Sequence, residues 1–194
     1  MKYNKQQQSG FSLIETLVAI SILLLVIVAP MTISSKTAKS STFATEQIQA
    51  FFLAQEGLEL AQAARNELQL KYFEGSQLDP WGEFVNGATY AECFSGSGCG
   101  LEWSSAVADS LVVSDCDTGT KCRMYLGVND RQHFTYSSSG TTIQPFTRKI
   151  RITATPGATD REVLVTSTVT WRTGSLVADQ KVELDTYLFN TYVN

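Results

Sequence analysis

The sequence predicts an α+β chain, one long N-terminal helix packed on a C-terminal antiparallel sheet, and three observations carry that reading. From Thr16 to Ser35 there are 20 residues without a formal charge, most of them Leu, Ile, Val, Ala or Met. Past Ile33 apolar residues recur at three- and four-residue steps, the period of a helix with one apolar face. From Phe146 onward apolar and polar residues alternate in three runs, the period of strands with one buried side.

The chain opens on a basic, polar leader, MKYNKQQQSG. At about 1.5 Å per residue, the uncharged stretch after it is long enough to cross the hydrocarbon core of a bilayer. Lys2 and Lys5 hold the leader end in the cytoplasm by the positive-inside rule, so the rest faces outward. Glu15 stands just inside the apolar run. A carboxylate costs about 2.5–3.5 kcal/mol at the centre of an inserting helix, less nearer its end, so something must compensate it. A signal peptide cleaved near APMTISS leaves Glu15 unexplained, and so does a plain single-span anchor.

The helix is expected from about Ser12 to about Lys71. Ala44, Ile48, Phe51, Ala54, Leu58, Ala61 and Leu68 form its predicted apolar face, and AFFLAQEGLELAQAARN is the part expected to pack on a sheet. Pro30 predicts a kink or a locally melted turn, and Gly57 a second, weaker soft point. Residues 73 to about 120 are rich in Gly, Ser, Asp and Asn and read as a loop-dominated connection, with short strands near Thr89–Cys93 and Leu111–Ser114.

The three alternating runs follow. Phe146, Ile150, Ile152 and Ala154 alternate with Thr147, Lys149, Arg151 and Thr153; Val163, Val165, Val169 and Trp171 oppose Thr166, Thr168, Thr170 and Arg172. Val182, Leu184 and Leu188 oppose Lys181, Glu183 and Asp185. TPGATDRE and TGSLVADQ separate the runs, which predicts an antiparallel meander with one buried face. Arg148, Lys149 and Arg151 read as a solvated face of the first strand. Trp171 is expected on the core side, with Trp81 and Trp103 capping it.

Cys93, Cys99, Cys116 and Cys122 form two C-x5-C pairs. With an export signal, an even count reads as two disulfides made in an oxidising compartment. Zinc ligand pairs usually have two to four residues between them, so no metal is expected here. The turn-forming interiors FSGSG and DTGTK favour local pairing, Cys93 with Cys99 and Cys116 with Cys122, although three connectivities are open to four cysteines. DCDTGT is faintly like a calcium loop but far short of an EF-hand.

The formal charge is -4, from 15 Lys and Arg against 19 Asp and Glu, which argues against a phosphate-neutralising surface and against a nucleic-acid partner. The lone histidine, His133, has no nucleophile beside it in sequence. There is no GxSxG, no HExxH and no phosphate-cradling glycine loop, so neither catalytic residues nor a cofactor are expected.

GFSLIETLVAISILLLVIVAP, with its basic leader, resembles the N-terminal signature of type IV pilins and type II secretion pseudopilins. The resemblance is strong over about residues 1–35 and elsewhere rests on architecture. It implies that a prepilin peptidase cuts after Gly10 on the cytoplasmic side, that Phe11 becomes the methylated N-terminus, and that Glu15 is the family's assembly glutamate. It further implies a pilin fold: leader 1–10, transmembrane and filament-core helix 11–35, amphipathic helix 36–72 packing on the sheet, and an extracytoplasmic loop region and sheet domain over 73–194. The implied role is a structural, non-enzymatic subunit of a type IV pilus or type II secretion-type pseudopilus. TSTVTWRTGSLVADQKVELDTYLFN looks similar to the endings of minor subunits. Implied partners are other pilin or pseudopilin subunits, the prepilin peptidase and the assembly platform of the inner membrane. The subunit is implied to be single-pass in that membrane before assembly, then part of an extracellular or periplasmic filament. The rival reading is a monomeric, single-span membrane-anchored binding module that keeps its leader.

Overall fold

The computed structural model describes residues 10, 12–76, 78–104, 110–117, 121–127, 133–172 and 178–191. It is an α+β chain: helix α1 (Leu13–Phe73), short helices α2 (Pro80–Asn86) and α3 (Ala91–Phe94), and seven strands. The strands are β1 (Cys99–Ser104), β2 (Ser110–Asp115), β3 (Arg123–Gly127), β4 (Phe134–Thr135), β5 (Thr141–Ala154), β6 (Glu162–Trp171) and β7 (Gln180–Phe189). Two compact units divide between Ala44 and Thr45.

In the first unit α1 begins where the Ser12 carbonyl accepts the Glu15 and Thr16 amides at 3.0 and 3.2 Å. It continues through Pro30 as helix, so of the two expectations there the locally melted turn is corrected. Proline's fixed φ is helical, so its cost is one missing amide donor and the crowding of the preceding turn. From Leu13 to Ile33 the large apolar side chains are exposed.

In the second unit the sheet is built around β5, which pairs antiparallel with β6 on one edge and with β3 and β1 on the other. The meander β5-β6-β7 has Ile150 opposite Ser167, Ile152 opposite Val165, and Val163 opposite Leu188. From Thr45 on, α1 covers the inner face and runs in the same direction as β7. Ile48, Phe51 and Phe52 lie by Val182, and Arg65 Nη1 donates to the Phe189 carbonyl at 2.9 Å. Gly75, at φ +107°, ends the helix in a conformation that side chains rarely adopt, and the Ser76 amide closes back on the Lys71 carbonyl at 3.0 Å.

The helix face that meets the sheet matches the predicted one in part: Ala54 and Ala61 are buried and Leu58 and Leu68 pack against the core, but other residues share the contact. Ala50, Leu53, Ala54, Gly57, Leu60, Ala61 and Ala64 are buried, whereas Ile48 and Phe51 stay exposed. Size decides: alanines and a glycine let the helix axis come close to the sheet, and larger residues at those positions would hold it off. Gly57 is therefore a contact point and not a soft one. A Cβ there would run into Ser167 Oγ and lie 3.3 Å from Ile150 Cγ1.

Residues 73–120 also depart from the loop reading. Asp79 caps α2 by accepting from the Trp81 and Gly82 amides at 3.2 and 3.0 Å, with Pro80 at the first helical position. Trp81 and Phe84 then enter the core. Thr89–Cys93 is helical, a 3₁₀ turn leading into α3, because Tyr90 and Cys93 both have to point the same way into that core. Trp103 does not cap the core. It is 52 % exposed on β1, opposite Leu111 of β2.

Gly→Ala in a helix interior ordinarily stabilises by up to about 1 kcal/mol. Gly57→Ala should instead destabilise by about 1–3 kcal/mol, the range for an overpacked core. Ser167 Oγ is buried without a hydrogen-bond partner, so Ser167→Ala should cost little and should relieve most of the Gly57→Ala loss. Denaturation of the full chain and its three variants in neutral detergent gives the coupling.

Candidate functional site

Two places draw attention, one in each unit, and they are chemically unlike. In the first, Gly10 is exposed with open space around it, and Glu15 is exposed in the first turn of α1. Phe11 and the leader before Gly10 lie outside the described residues. The carboxylate of Glu15 has no ion-pair partner among the described residues. The positive end of the helix dipole favours a negative charge in the first turn, but a neutralising cation must come from elsewhere. The following apolar stretch is long and apolar enough to cross a membrane.

In the second unit the sequence reading missed a buried charge. Arg148 shares the inward side of β5 with Phe146, Ile150 and Ile152, and it is 1 % exposed, not part of a solvated face. Its guanidinium is fully engaged. Nε donates to Tyr136 Oη at 2.8 Å and Nη2 to the Leu101 carbonyl at 3.0 Å. Nη1 meets Glu56 Oε2 at 2.9 Å and the Leu53 carbonyl at 3.4 Å. The Tyr136 amide and the Thr135 hydroxyl both donate to Glu102 Oε2, at 2.9 and 2.8 Å. Helix α1, strand β1 and the residue after β4 therefore converge on one side chain of β5.

Burial opposes the Arg148 charge, but Tyr136 and Glu56 outweigh it and hold the guanidinium protonated. Burial also raises the Tyr136 phenol, with the Arg148 charge working against that rise. Tyr90 is pushed up to about 12 by burial and by the carboxylates of Glu67 and Glu83. These groups tie α1 to the sheet, and Glu102 and Tyr136 also line an open surface cavity with Ser114, Asp115, Lys121 and Ser137.

Cys93 is bridged to Cys99 and Cys116 to Cys122, with Cα–Cα distances of 4.6 and 5.3 Å. The first bridge fastens α3 to the start of β1. In the second region Lys121 Nζ reaches Asp115 Oδ2 at 2.7 Å and Asp117 Oδ1 at 2.9 Å, which puts an ammonium where the calcium-like reading needs a metal. The rest of DCDTGT, residues 118–120, lies outside the described residues. No cluster of three or more His, Cys, Asp or Glu able to hold a metal occurs among the described residues. His133 is exposed, and its carbonyl accepts the Gly127 amide at 3.0 Å.

A family model described as the prokaryotic N-terminal methylation motif matches residues 5–29. No curated protein and no solved structure matches the chain.

Removing the Arg148 side chain takes the donor from the Leu53 and Leu101 carbonyls and from Tyr136 Oη, which keeps its 3.4 Å bond to the residue-148 carbonyl. Arg148→Met should cost about 1–3 kcal/mol, and Glu56→Gln less because that side chain is half exposed and its amide oxygen still accepts. Urea midpoints of the full chain in detergent provide the check.

The phenols set an alkaline limit. An unfolded tyrosine loses its proton near pH 10, whereas Tyr90 and Tyr136 hold theirs to higher pH in the fold. Above about pH 10 the unfolded state binds fewer protons than the native one, so this stabilisation, complete below that pH, declines as pH rises. Tyr90 and Tyr136 should ionise above the range of a free tyrosine in a 295 nm titration, and the urea midpoint should fall from pH 9 to pH 11.

Proposed function

We propose that this chain, which carries the N-terminal methylation signature of type IV pilins and pseudopilins, is a structural subunit of a filament of that class. Glu15 carries the proposal: a carboxylate in the first turn of an apolar helix whose large apolar side chains from Leu13 to Ile33 are exposed among the described residues. Cleavage after Gly10 exposes an amine on Phe11. One helical turn separates that amine from Glu15, so a copy displaced along a filament offers its amine to this carboxylate. In apolar surroundings either charge alone is costly, and pairing favours the docked state and sets its register.

In this reading residues 1–10 are the leader, 11–35 cross the membrane and later form the filament core, and 36–72 continue the helix, which packs on the sheet from Thr45 on. Residues 73–194 face the outside. The partners are other pilin or pseudopilin subunits, the prepilin peptidase and the assembly platform of the inner membrane. Within the class we assign the chain a minor role, on the likeness of its C-terminal strands to those of minor subunits; scarcity in sheared filaments is the expected sign.

The mature N-terminus tests the proposal. Mass spectrometry of the native protein should find a chain beginning at N-methylated Phe11. Glu15→Ala should be processed normally yet fall at least tenfold in filament incorporation. A native chain that is monomeric and still begins at Met1 would support the membrane-anchored binding module instead.

A further inference from the structure

Between Glu15 and Thr45 the chain carries two charged side chains, Lys36 and Lys39. Both are exposed on α1, and at three residues apart they share one face of the helix. Neither has a salt bridge among the described residues. Toward the C-terminus the next carboxylate is Glu46, about two turns and roughly 10 Å past Lys39 along the helix axis. Around the pair stand Ser34, Ser35, Thr37, Ser40, Ser41 and Thr42, all exposed.

The position is specific. The uncharged run ends at Ser35, so a helix that fills the hydrocarbon core with Thr16–Ser35 delivers both lysines to the level of the headgroups. Their alkyl stems lie along apolar surface while the ammonium groups reach outward. The balance elsewhere is opposite in sign: from Thr45 onward there are eleven Lys and Arg against eighteen Asp and Glu. A cationic pair with no carboxylate near it, set at a bilayer face in an acidic chain, is complementary to phosphodiester anions.

We propose that Lys36 and Lys39 together hold the phosphate headgroups of anionic phospholipids at the membrane face where the apolar stretch ends. The inference rests on the reading of α1 as membrane-spanning. It adds a lipid partner and fixes the depth at which the helix sits before it leaves the bilayer.

The test is a titration of the full chain, solubilised in neutral detergent, with fluorescent phosphatidylglycerol or phosphatidylcholine. The wild type should prefer phosphatidylglycerol, and added salt should weaken that preference. Lys36→Gln with Lys39→Gln should lower the affinity for phosphatidylglycerol about 25-fold, from about fivefold per lysine, and leave phosphatidylcholine unchanged. Lys36→Arg with Lys39→Arg should retain it. Lys2 and Lys5 are common to all variants, so the difference reports the pair alone. Equal retention of phosphatidylglycerol by the wild type and the glutamine variant overturns the proposal. Displacement of the lipid by inorganic phosphate at equal concentration also overturns it, since that marks a free-anion site. Alkaline carbonate extraction of membranes separates the two levels. If every variant resists extraction, the membrane reading stands whatever the titration finds; if the wild type is extracted, that reading and this proposal both fail.

Discussion

The second unit is organised by one constraint: the Arg148 guanidinium is enclosed, and every group near it has to be placed so that the charge is met. A buried cation without partners is far more costly than any single apolar contact is favourable. Helix α1 must therefore present Glu56 and the Leu53 carbonyl at one point along the sheet. A slide by one turn would take both away. Packing opposes such a slide too, since it would bring a Cβ to the place Gly57 occupies against Ser167 and Ile150. The charge fixes position, while the small residues around it permit close approach.

Closeness and charge support each other at Gly57. The residue that lets the backbone of α1 reach β5 and β6 follows directly after Glu56 and lies one turn past Leu53. Were the axis held further off, the guanidinium would lose its helix partners while keeping Tyr136 and Leu101 on the sheet side. The first unit is governed by the reverse condition. There a carboxylate has no ion-pair partner among the described residues, and the apolar side chains that follow it are exposed on a helix long and apolar enough to cross a membrane.

Much of this was legible in the sequence, and the failures share a cause. The meander follows from period-2 alternation and turn residues, and the long helix from a run that no loop would tolerate. The same alternation puts position 148 on the inward side with 146, 150 and 152; sending it to solvent let residue type override period. The helix face was read correctly at Ala54 and Ala61 and missed elsewhere in a parallel way: weighting positions by apolarity chose Ile48 and Phe51, yet close contact with the sheet falls on the small residues Ala50, Gly57 and Ala64 as well. Composition hid α2: Gly, Asp and Asn suggested loop, although Asp79 followed by Pro80 is a helix start with its own mechanism. No local signal announces Tyr136 or Glu102, because their roles depend on strands distant in sequence.

The disulfides fit this division between local and distant effects. Each closes a short loop, for which the chain-entropy account gives about 2 kcal/mol. Loops so small do not hold remote parts of the fold together; they fix the ends of their own turns. The value of Cys93–Cys99 lies in where those ends are. Cys99 is the residue through which β1 pairs with β5, opposite Ile150, and Cys93 is the buried residue of α3. With both held, Trp81, Phe84 and Tyr90 are carried onto Ile150, Ile152 and the alanines of α1, in the same core to which Leu101 belongs. Leu101 in turn supplies one of the carbonyls that Arg148 requires. The bridge therefore acts on the buried charge indirectly, by keeping β1 in the register that presents that carbonyl.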